Sequence, residues 1–186
     1  MDIEIKNSLK ILKQKKVLLY PTDTVWGIGC DATSEEAVAK VFEIKQRSES
    51  KSLVILVDGI EMLKKHIPKV SKSVLELLSK TKKPTTIIYD NPFGLAKNVV
   101  AADNTVAIRI VQHEFCKQLI HLFGKPIVST SANISGNPTP KSFKEIEQSI
   151  LDSMDYVVNL QRKEVNEKSS TILKVSENGG IIVLRN

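Results

Sequence analysis

The chain has 186 residues and a mass of 20.7 kDa, with 41% hydrophobic and 26% charged residues, which predicts one domain with a substantial core. Its two Cys lie far apart and its three His show no metal-ligand spacing, which argues against a zinc ribbon, an iron–sulfur site or a disulfide scaffold. The first residues contain no apolar signal segment, and no apolar run is long enough to span a bilayer. We therefore expect a cytoplasmic protein with no membrane association and no resident metal.

The formal net charge is +6 and the pI is about 9.2, so the surface should attract polyanions such as nucleic acid or phosphorylated small molecules. Among 27 basic residues only four are Arg, namely Arg47, Arg109, Arg162 and Arg185. A guanidinium offers a planar fork for carboxylate or phosphate that Lys cannot copy. These four positions are therefore candidates for ligand binding.

Hydrophobic periodicity in the first half of the chain predicts helices that alternate with buried strands. Apolar residues at helical spacing predict a helix from Ile3 to Gln14, and a capping box at Thr33 and Glu36 predicts another that runs to Lys45. The other elements predicted here are strands Val17–Tyr20 and Leu53–Val57 and two short helices between Ile60 and Leu78.

The second half continues this alternation and ends in strands. Helices are predicted over Glu114–Phe123, closed by Gly124, and over Lys141–Ile150, with loops at Asn91–Asn104 and Asn133–Pro140. The predicted strands are Thr86–Tyr89, Thr105–Val111, Ile127–Thr130, Tyr156–Leu160, Thr171–Val175 and Ile181–Leu184. The last two share a hairpin turn at Asn178-Gly179-Gly180, so the fold class is α/β: a single domain with a twisted mixed sheet flanked by helices.

The segment Tyr20–Cys30, predicted to be a loop, follows a buried strand, and ligand crevices of open α/β sheets form at strand ends. Its two Thr hydroxyls, one Asp and two Gly allow a tight backbone with donors that point outward. The same composition fits a loop in which Thr22, Asp23 and Thr24 satisfy their own backbone in local turns. Both interpretations fit the sequence.

Three cations, Lys45, Arg47 and Lys51, fall within seven residues between a helix and a strand. Cations at a helix C-terminus complement the macrodipole, and most charged runs are solvated surfaces. A site that uses ATP must neutralise several negative charges, for which Lys supplies point charges and Arg a bidentate fork. The presence of Arg47 favours a phosphate clamp.

Arg109 lies inside an apolar strand, where alternation places Thr105, Ala107 and Arg109 on one face. A charge without a partner is costly in such a position. Arg109 is therefore expected to pair either with a carboxylate of the chain or with the carboxylate of a ligand.

A cluster of hydroxyl and amide side chains, Ser129 to Asn133, ends the strand that begins at Ile127. The chain contains no Gly-Lys-Ser/Thr phosphate loop, no G-x-G-x-x-G and no G-x-S-x-G. A nucleotide bound here would be held by Ser and Asn side chains and by backbone N–H groups. No Ser-His-Asp order and no paired carboxylates stand out, so the sequence does not support a hydrolase.

At these four segments the chain resembles the threonylcarbamoyl-AMP synthase family, the YrdC-like domain. Tyr20–Gly29 matches the pattern Y-P-T-E-T-V-[YF]-G-L-G with Asp23 for Glu, and Lys45, Arg47 and Lys51 match K-x-R followed by a further Lys. Further along the chain, Thr105–Arg109 matches T-V-A-[IV]-R. The pattern S-x-N followed by S-G is matched by Ser131, Asn133, Ser135 and Gly136. Near the C-terminus, Ser170-Thr171-Ile172 matches S-T-[VI], and Leu184-Arg185 matches a terminal L-R. The resemblance covers residues 17–186.

The resemblance implies a YrdC-like fold with a basic concave cavity, in the short single-domain form, residues 1–186, without a C-terminal extension. It implies a nucleotidyltransferase that forms threonylcarbamoyl-AMP and pyrophosphate from L-threonine, bicarbonate or CO2, and ATP, with a magnesium ion on the triphosphate. The product would pass to a transferase complex that modifies the adenosine beside the anticodon of certain tRNAs.

The resemblance also implies roles for individual residues. The ATP-binding set is Lys45, Arg47, Lys51, Thr105, Ser131, Asn133 and Arg185, of which Lys45 and Arg47 are also catalytic because they stabilise charge on the leaving group. The threonine-binding set is Thr22, Thr24, Arg109, Ser129 and Thr171, with Arg109 paired to the threonine carboxylate.

Two other functions fit parts of the sequence. An RNA-binding module for double-stranded RNA or tRNA, without catalysis, is permitted by the positive charge, and weak tRNA binding is compatible with the enzyme as well. The few, scattered aromatic residues, however, form no stacking platform for bases. The third function is an α/β domain that binds another nucleotide or none.

Overall fold

The structure is a computed structural model that describes residues 1–48, 52–166, 169–176 and 180–186. Its strands are β1 (Leu18–Tyr20), β2 (Gly27–Gly29), β3 (Val54–Val57), β4 (Thr85–Asp90), β5 (Thr105–Ile110), β6 (Ile127–Ser131), β7 (Tyr156–Val157), β8 (Thr171–Val175) and β9 (Ile181–Arg185). Its α-helices are α1 (Asp2–Lys13), α2 (Glu35–Ile44), α3 (Ile60–His66), α4 (Lys72–Lys80), α5 (Glu114–Phe123) and α6 (Gln148–Asp152), and 3₁₀ helices cover Lys97–Val99 and Phe143–Glu145.

In the described residues the strands form one nine-stranded sheet with the order β7-β1-β2-β6-β3-β5-β4-β8-β9. The pairs β1–β7, β3–β5 and β4–β8 are parallel, and the other neighbours are antiparallel. Helix α1 packs against α5, and α3 and α5 pack against β3. The predicted α/β class, with a mixed sheet and packed helices, is confirmed.

Aliphatic side chains of the middle strands, such as Ile28, Ile55, Ile108 and Val128, are buried and form part of the core. Fully burying one such side chain stabilises the fold by about 1.5–3 kcal/mol. Tyr20 lies among them, and its hydroxyl donates a hydrogen bond to the carbonyl of Val128 (2.9 Å). A Cβ at Gly29 would lie 2.5 Å from the Val128 carbonyl oxygen and 2.5 Å from Tyr20 Cε1, so only Gly fits beside this ring.

Two helix ends show how the local sequence sets their bounds. Helix α5 ends at Gly124, whose left-handed φ of 72° is the conformation that Gly supplies, as predicted. The start of α2 differs from the prediction, because Ser34 caps it by accepting a hydrogen bond from the backbone N–H of Ala37 (3.3 Å). Thr33 instead donates its hydroxyl to the Asp31 carboxylate (2.6 Å), so the capping residue is one position later.

Three predicted elements are wrong in extent or type. Strand β2 lies in a segment predicted to be a loop, because its three residues include two Gly and give no strand periodicity. The helix predicted over Lys141–Ile150 is a 3₁₀ turn followed by the short α6, since Ile146 and Glu147 are extended between them. The strand predicted over Tyr156–Leu160 is the two-residue β7.

The C-terminal strands β8 and β9 pair antiparallel, as the predicted hairpin requires. Of its predicted turn, Asn178 and Gly179 lie outside the described residues. Within the described ranges, no helix combines the length and the apolar character that crossing a membrane requires.

Candidate functional site

A cavity of about 340 Å³ opens on the sheet and collects residues from all four segments that the sequence analysis singled out. Strands β2, β3, β4, β5, β6, β8 and β9 each contribute to its wall. Six predicted site residues line it: Thr24, Arg47, Arg109, Ser129, Ser131 and Arg185. The volume lies within the range of small-molecule sites, about 300–1,000 Å³.

The wall of this cavity is positively charged. Three of the four Arg of the chain, Arg47, Arg109 and Arg185, line it, and no Asp or Glu does so among the described residues. Hydroxyl groups of Ser and Thr occupy much of the remaining polar surface. Guanidinium groups and hydroxyl donors together suit a ligand that carries phosphate or carboxylate oxygens.

Arg109 is held by a carboxylate of the chain. Its Nη2 lies 3.0 Å from Asp23 Oδ1, and the two side chains are 5% and 9% exposed. Its Nε is buried without a hydrogen-bond partner among the described residues. A guanidinium has five N–H donors, so the contact with Asp23 leaves donors for a ligand in the cavity that Arg109 lines.

The turn between β1 and β2 is braced by its own hydroxyl groups. Thr22 donates its hydroxyl to the carbonyl of Val25 (2.8 Å), and its oxygen accepts the backbone N–H of Thr24 (3.1 Å). The two Thr hydroxyl oxygens lie 3.0 Å apart. Thr24 lines the cavity, whereas Thr22 does not, so Thr22 shapes the turn that presents Thr24 to the cavity.

Lys45 lies behind the wall rather than on it. It is 1% exposed, and its Nζ donates hydrogen bonds to the carbonyls of Ser131 (2.5 Å) and Asn133 (2.7 Å). Burial, and secondarily the positive charge of Arg47, lowers the pKa of Lys45 to about 8. The ammonium group therefore holds the end of β6, where Ser131 enters the cavity.

Asn133 also stabilises the loop behind the wall. Its side-chain amide donates to the carbonyls of Ile134 (3.0 Å) and Asn137 (2.8 Å). Its Oδ1 is buried and has no hydrogen-bond partner among the described residues. Asn133 does not line the cavity, so the structure places it, like Lys45, one layer behind Ser131.

Arg47 enters the cavity from the segment after α2, and Arg185 from the end of β9. Arg47 is half-buried, its Nη2 donates to the carbonyl of Ser52 (3.0 Å), and burial lowers the pKa of its guanidinium. Arg185 donates through Nε (3.2 Å) and Nη2 (2.9 Å) to the carbonyl of Ser170. Each side chain is thus tethered to a backbone carbonyl while it contributes charge to the wall.

Besides Thr22, Lys45 and Asn133, two further predicted site residues do not line the cavity. The neighbours of Thr171, Ser170 and Ile172, line the cavity, and Thr171 does not, because successive side chains of a strand point to opposite faces. Thr105 lies at the start of β5, four positions before Arg109, where its hydroxyl donates to Asp103 (2.7 Å). Lys51 lies outside the described residues.

Several lining residues were not predicted from sequence. They include Trp26, Thr86, Thr139 and Ser170. The hydroxyl oxygens of Thr86 and Ser170 lie 2.8 Å apart, so β4 and the start of β8 are linked within the wall. A strand parity argument could have found Thr86, which pairs with Arg109, but nothing in the sequence marks Thr139.

Within the described part of the chain, no group of three or more His, Cys, Asp or Glu side chains lies close enough together to hold a metal ion. The fold and the cavity thus define an α/β protein with an Arg- and hydroxyl-lined cavity on a mixed sheet.

Comparisons with known proteins identify the family. Residues 10–186 match the family model Sua5/YciO/YrdC, described as "Telomere recombination". Because this match spans most of the chain, the protein belongs to that family. Threonylcarbamoyl-AMP synthase of Escherichia coli K12 is 32% identical over 145 residues, which cover 76% of this chain and 76% of that protein.

Solved structures agree with this assignment. P. abyssi Sua5 complexed with L-threonine superposes with a TM-score of 0.88 at 26% identity, over 100% of this chain and 54% of that one. This chain therefore spans about half the length of that relative. E. coli YciO superposes with a TM-score of 0.86 at 19% identity, over 100% of this chain and 89% of that one, which shows the shared fold.

Proposed function

We propose that the protein is a threonylcarbamoyl-AMP synthase, an enzyme that joins L-threonine, CO2 or bicarbonate, and ATP into threonylcarbamoyl-AMP and pyrophosphate. The observation that carries the proposal is one cavity in which three Arg and a set of hydroxyl groups meet. The E. coli relative bears the name of this activity, and the P. abyssi relative was solved with L-threonine. Supporting evidence thus comes from the site and from both comparisons.

We propose that the cavity has an amino-acid half and a nucleotide half, arranged along β6. Ser129 and Ser131 lie on the same strand two positions apart, which separates them by about 7 Å. We assign Ser129, Thr24 and Arg109 to the amino-acid half, with Arg109 paired to the threonine carboxylate. We assign Ser131 to the nucleotide half, together with the tethered cations Arg47 and Arg185.

The Arg side chains of the cavity suit a transfer reaction at the α-phosphorus of ATP that needs no covalent nucleophile of the protein. The threonine amine takes up CO2 and loses a proton to give a carbamate. A carbamate oxygen then attacks the α-phosphorus of ATP in line, and the bond from that phosphorus to the bridging oxygen breaks, so that pyrophosphate leaves. Such a transfer depends on positioning and on neutralising the negative charge that develops on the leaving group.

The Arg residues supply that neutralisation. Arg47 and Arg185 lie on the wall as fixed cations, and we assign them to the triphosphate. Lys45 acts one layer behind, where its ammonium group holds the carbonyls at the end of β6. Magnesium is proposed to arrive bound to the triphosphate and water, since the described residues present no cluster of acidic ligands.

The product is a reactive mixed anhydride, which must be consumed by an acyl-transfer step. We propose that it passes in the cytoplasm to a transferase complex that modifies adenosine in tRNA. The RNA-binding alternative is less favoured because the curated relatives are named for the synthase.

A pyrophosphate-release assay tests the proposal. We expect release from ATP that requires both L-threonine and bicarbonate, and we expect ATP and L-threonine together to raise the melting temperature more than either alone. Release that is indifferent to L-threonine, or no release, would contradict it. An RNA-binding module would instead show an RNA affinity that collapses steeply with salt and no response to threonine.

A further inference from the structure

The single Trp of the chain, Trp26, forms part of the cavity wall. It is 4% exposed and lies directly before β2. Among the described residues, nothing accepts a hydrogen bond from its indole Nε1–H, and this atom is not among those fully buried without a partner. The indole N–H is therefore neither hydrogen-bonded nor fully enclosed among these residues, and Trp26 lines the cavity.

Trp26 lies on the nucleotide side of that cavity. The backbone N–H of Ala132 donates to the Trp26 carbonyl (3.1 Å), and the next residue, Gly27, pairs with Ser131. Trp26 is therefore adjacent to the end of β6 that carries Ser131, and further from the Ser129 end. An aromatic face and an N–H donor at this position suit a purine nucleotide, which offers a ring to pack against and oxygens to accept a hydrogen bond.

Phe143 packs against the indole ring, and Arg162 packs against Phe143. The ring of Phe143 lies 4.9 Å from the Trp26 ring, centroid to centroid, at an interplanar angle of 57°. The guanidinium carbon of Arg162 lies 4.6 Å from the centroid of the Phe143 ring, and Arg162 Nη2 donates to the carbonyl of Val157 (3.4 Å). The fourth Arg of the chain, which does not line the cavity, thus packs on the ring that packs on Trp26.

We propose that Trp26 contacts the nucleotide directly and that Phe143 and Arg162 are positioning residues that fix its ring in the wall. The proposal rests on the proposed function for the identity of the nucleotide, ATP. It assigns Arg162 a role in ATP affinity although Arg162 does not reach the ligand.

The tryptophan itself reports on the proposal, because all indole emission comes from Trp26. We expect titration with ATP alone to change that emission in a saturable way and L-threonine alone to leave it nearly unchanged. The result that overturns the proposal is constant emission at ATP concentrations that raise the melting temperature. Saturable emission changes without pyrophosphate release would sustain the nucleotide contact and contradict the proposed reaction.

Variants test each role. Trp26→Phe keeps an aromatic ring and removes the N–H donor, so we expect the KM for ATP to rise about 3- to 10-fold, the equivalent of one hydrogen bond, with a smaller change in the KM for L-threonine. Phe93→Leu, at a ring that is 72% exposed, is the control and should leave both constants unchanged. An unchanged KM for ATP in Trp26→Phe contradicts the contact.

The positioning role of Arg162 needs a readout that a general loss of stability would not move. In Arg162→Met we expect Trp26 emission to become more accessible to acrylamide and the KM for ATP to rise, and in Arg162→Lys we expect both to return toward wild type. Wild-type quenching and KM in Arg162→Met would overturn this part. So would equal increases in the KM for ATP and L-threonine.

Discussion

Arg109 and Asp23 form a nearly buried ion pair, with 3.0 Å between Nη2 and Oδ1, at the edge of the cavity that Arg109 lines. Asp23 Oδ2 also accepts the backbone N–H of Gln112 (3.2 Å), so the carboxylate is fixed from a second side. The chain thus provides the carboxylate partner that the sequence left open, and it does so without removing Arg109 from the cavity. In the proposed function, Asp23 orients the guanidinium for the carboxylate of L-threonine.

Asp23→Asn should destabilise the fold by about 3–5 kcal/mol, because it leaves the buried Arg109 charge without compensation. It should also raise the KM for L-threonine. Asp58→Asn is the control: Asp58 pairs with His121, which is exposed, so we expect a change within about 1 kcal/mol. Urea unfolding measures both, and coincident transitions for Asp23→Asn and wild type would show that the ion pair is not what holds Arg109.

Arg47→Ala should lower kcat for pyrophosphate release by about 100-fold or more, as loss of a fixed charge at the leaving group does in comparable sites. Because Arg47 is only half-buried, the free energy of unfolding should change little. Lys97→Ala, which removes an exposed cation outside the cavity, should keep full activity. Normal turnover by Arg47→Ala would remove Arg47 from the phosphate site.

Lys45 predicts a pH dependence of stability. Its pKa is about 8 in the folded protein and 10.5 in the ordinary case, so between these values the unfolded chain binds more protons than the folded one. Stability of the wild type should therefore rise with pH across this window, relative to Lys45→Met, by up to about 1.4 kcal/mol per pH unit. Below pH 8 Lys45 is charged in both the folded and the unfolded protein, so the free energy of unfolding carries the full cost of burying its charge.

The matched variant for this measurement is Lys40→Met, on the neighbouring helix α2, whose exposed amine contacts Glu36 (3.2 Å). Urea unfolding at pH 7.5, 8.5 and 9.5 should give parallel pH profiles for Lys40→Met and wild type, and a flatter profile for Lys45→Met. Parallel profiles for all three proteins would mean that Lys45 keeps an ordinary pKa in the fold.

Gly29→Ala should destabilise the fold by about 3 kcal/mol or more, because its Cβ would meet a backbone oxygen and the Tyr20 ring at 2.5 Å. Gly59→Ala is the matched control, since nothing lies within 4 Å of its Cβ, and it should stay within about 1 kcal/mol of wild type. Thermal unfolding compares the two. Equal melting temperatures would show that β1, β2 and β6 can separate locally at little cost.

The periodic elements of this fold could be predicted from the sequence, whereas elements without a period could not. Helix α5 and strand β8 have the predicted bounds, because each has a clear apolar period and a defined end. Strand β2 was missed because Gly27 and Gly29 give no side-chain signal, and its pairing with β1 and β6 is a tertiary effect.

The sequence predicts which segments form the site, but it does not predict which side chains line the cavity or what they contact. A single-residue difference in strand parity places Ser170, not Thr171, on the wall. Lys45 and Asn133 lie in the predicted segments, yet their polar atoms bind carbonyls of the loop after β6, which a sequence cannot reveal. The sequence segments thus indicate which parts of the chain surround the cavity. Which of their side chains line it, and which lie one layer behind, is set by the tertiary packing.

The most direct test of the account is mass-spectrometric detection of the product made from ATP, L-threonine and ¹³C-bicarbonate. We expect threonylcarbamoyl-AMP that carries one labelled carbon, in equal amount to pyrophosphate, and none when any substrate is left out. Pyrophosphate without the labelled adenylate, or a labelled adenylate that forms equally well with L-alanine, would contradict a cavity that seats a nucleotide beside threonine.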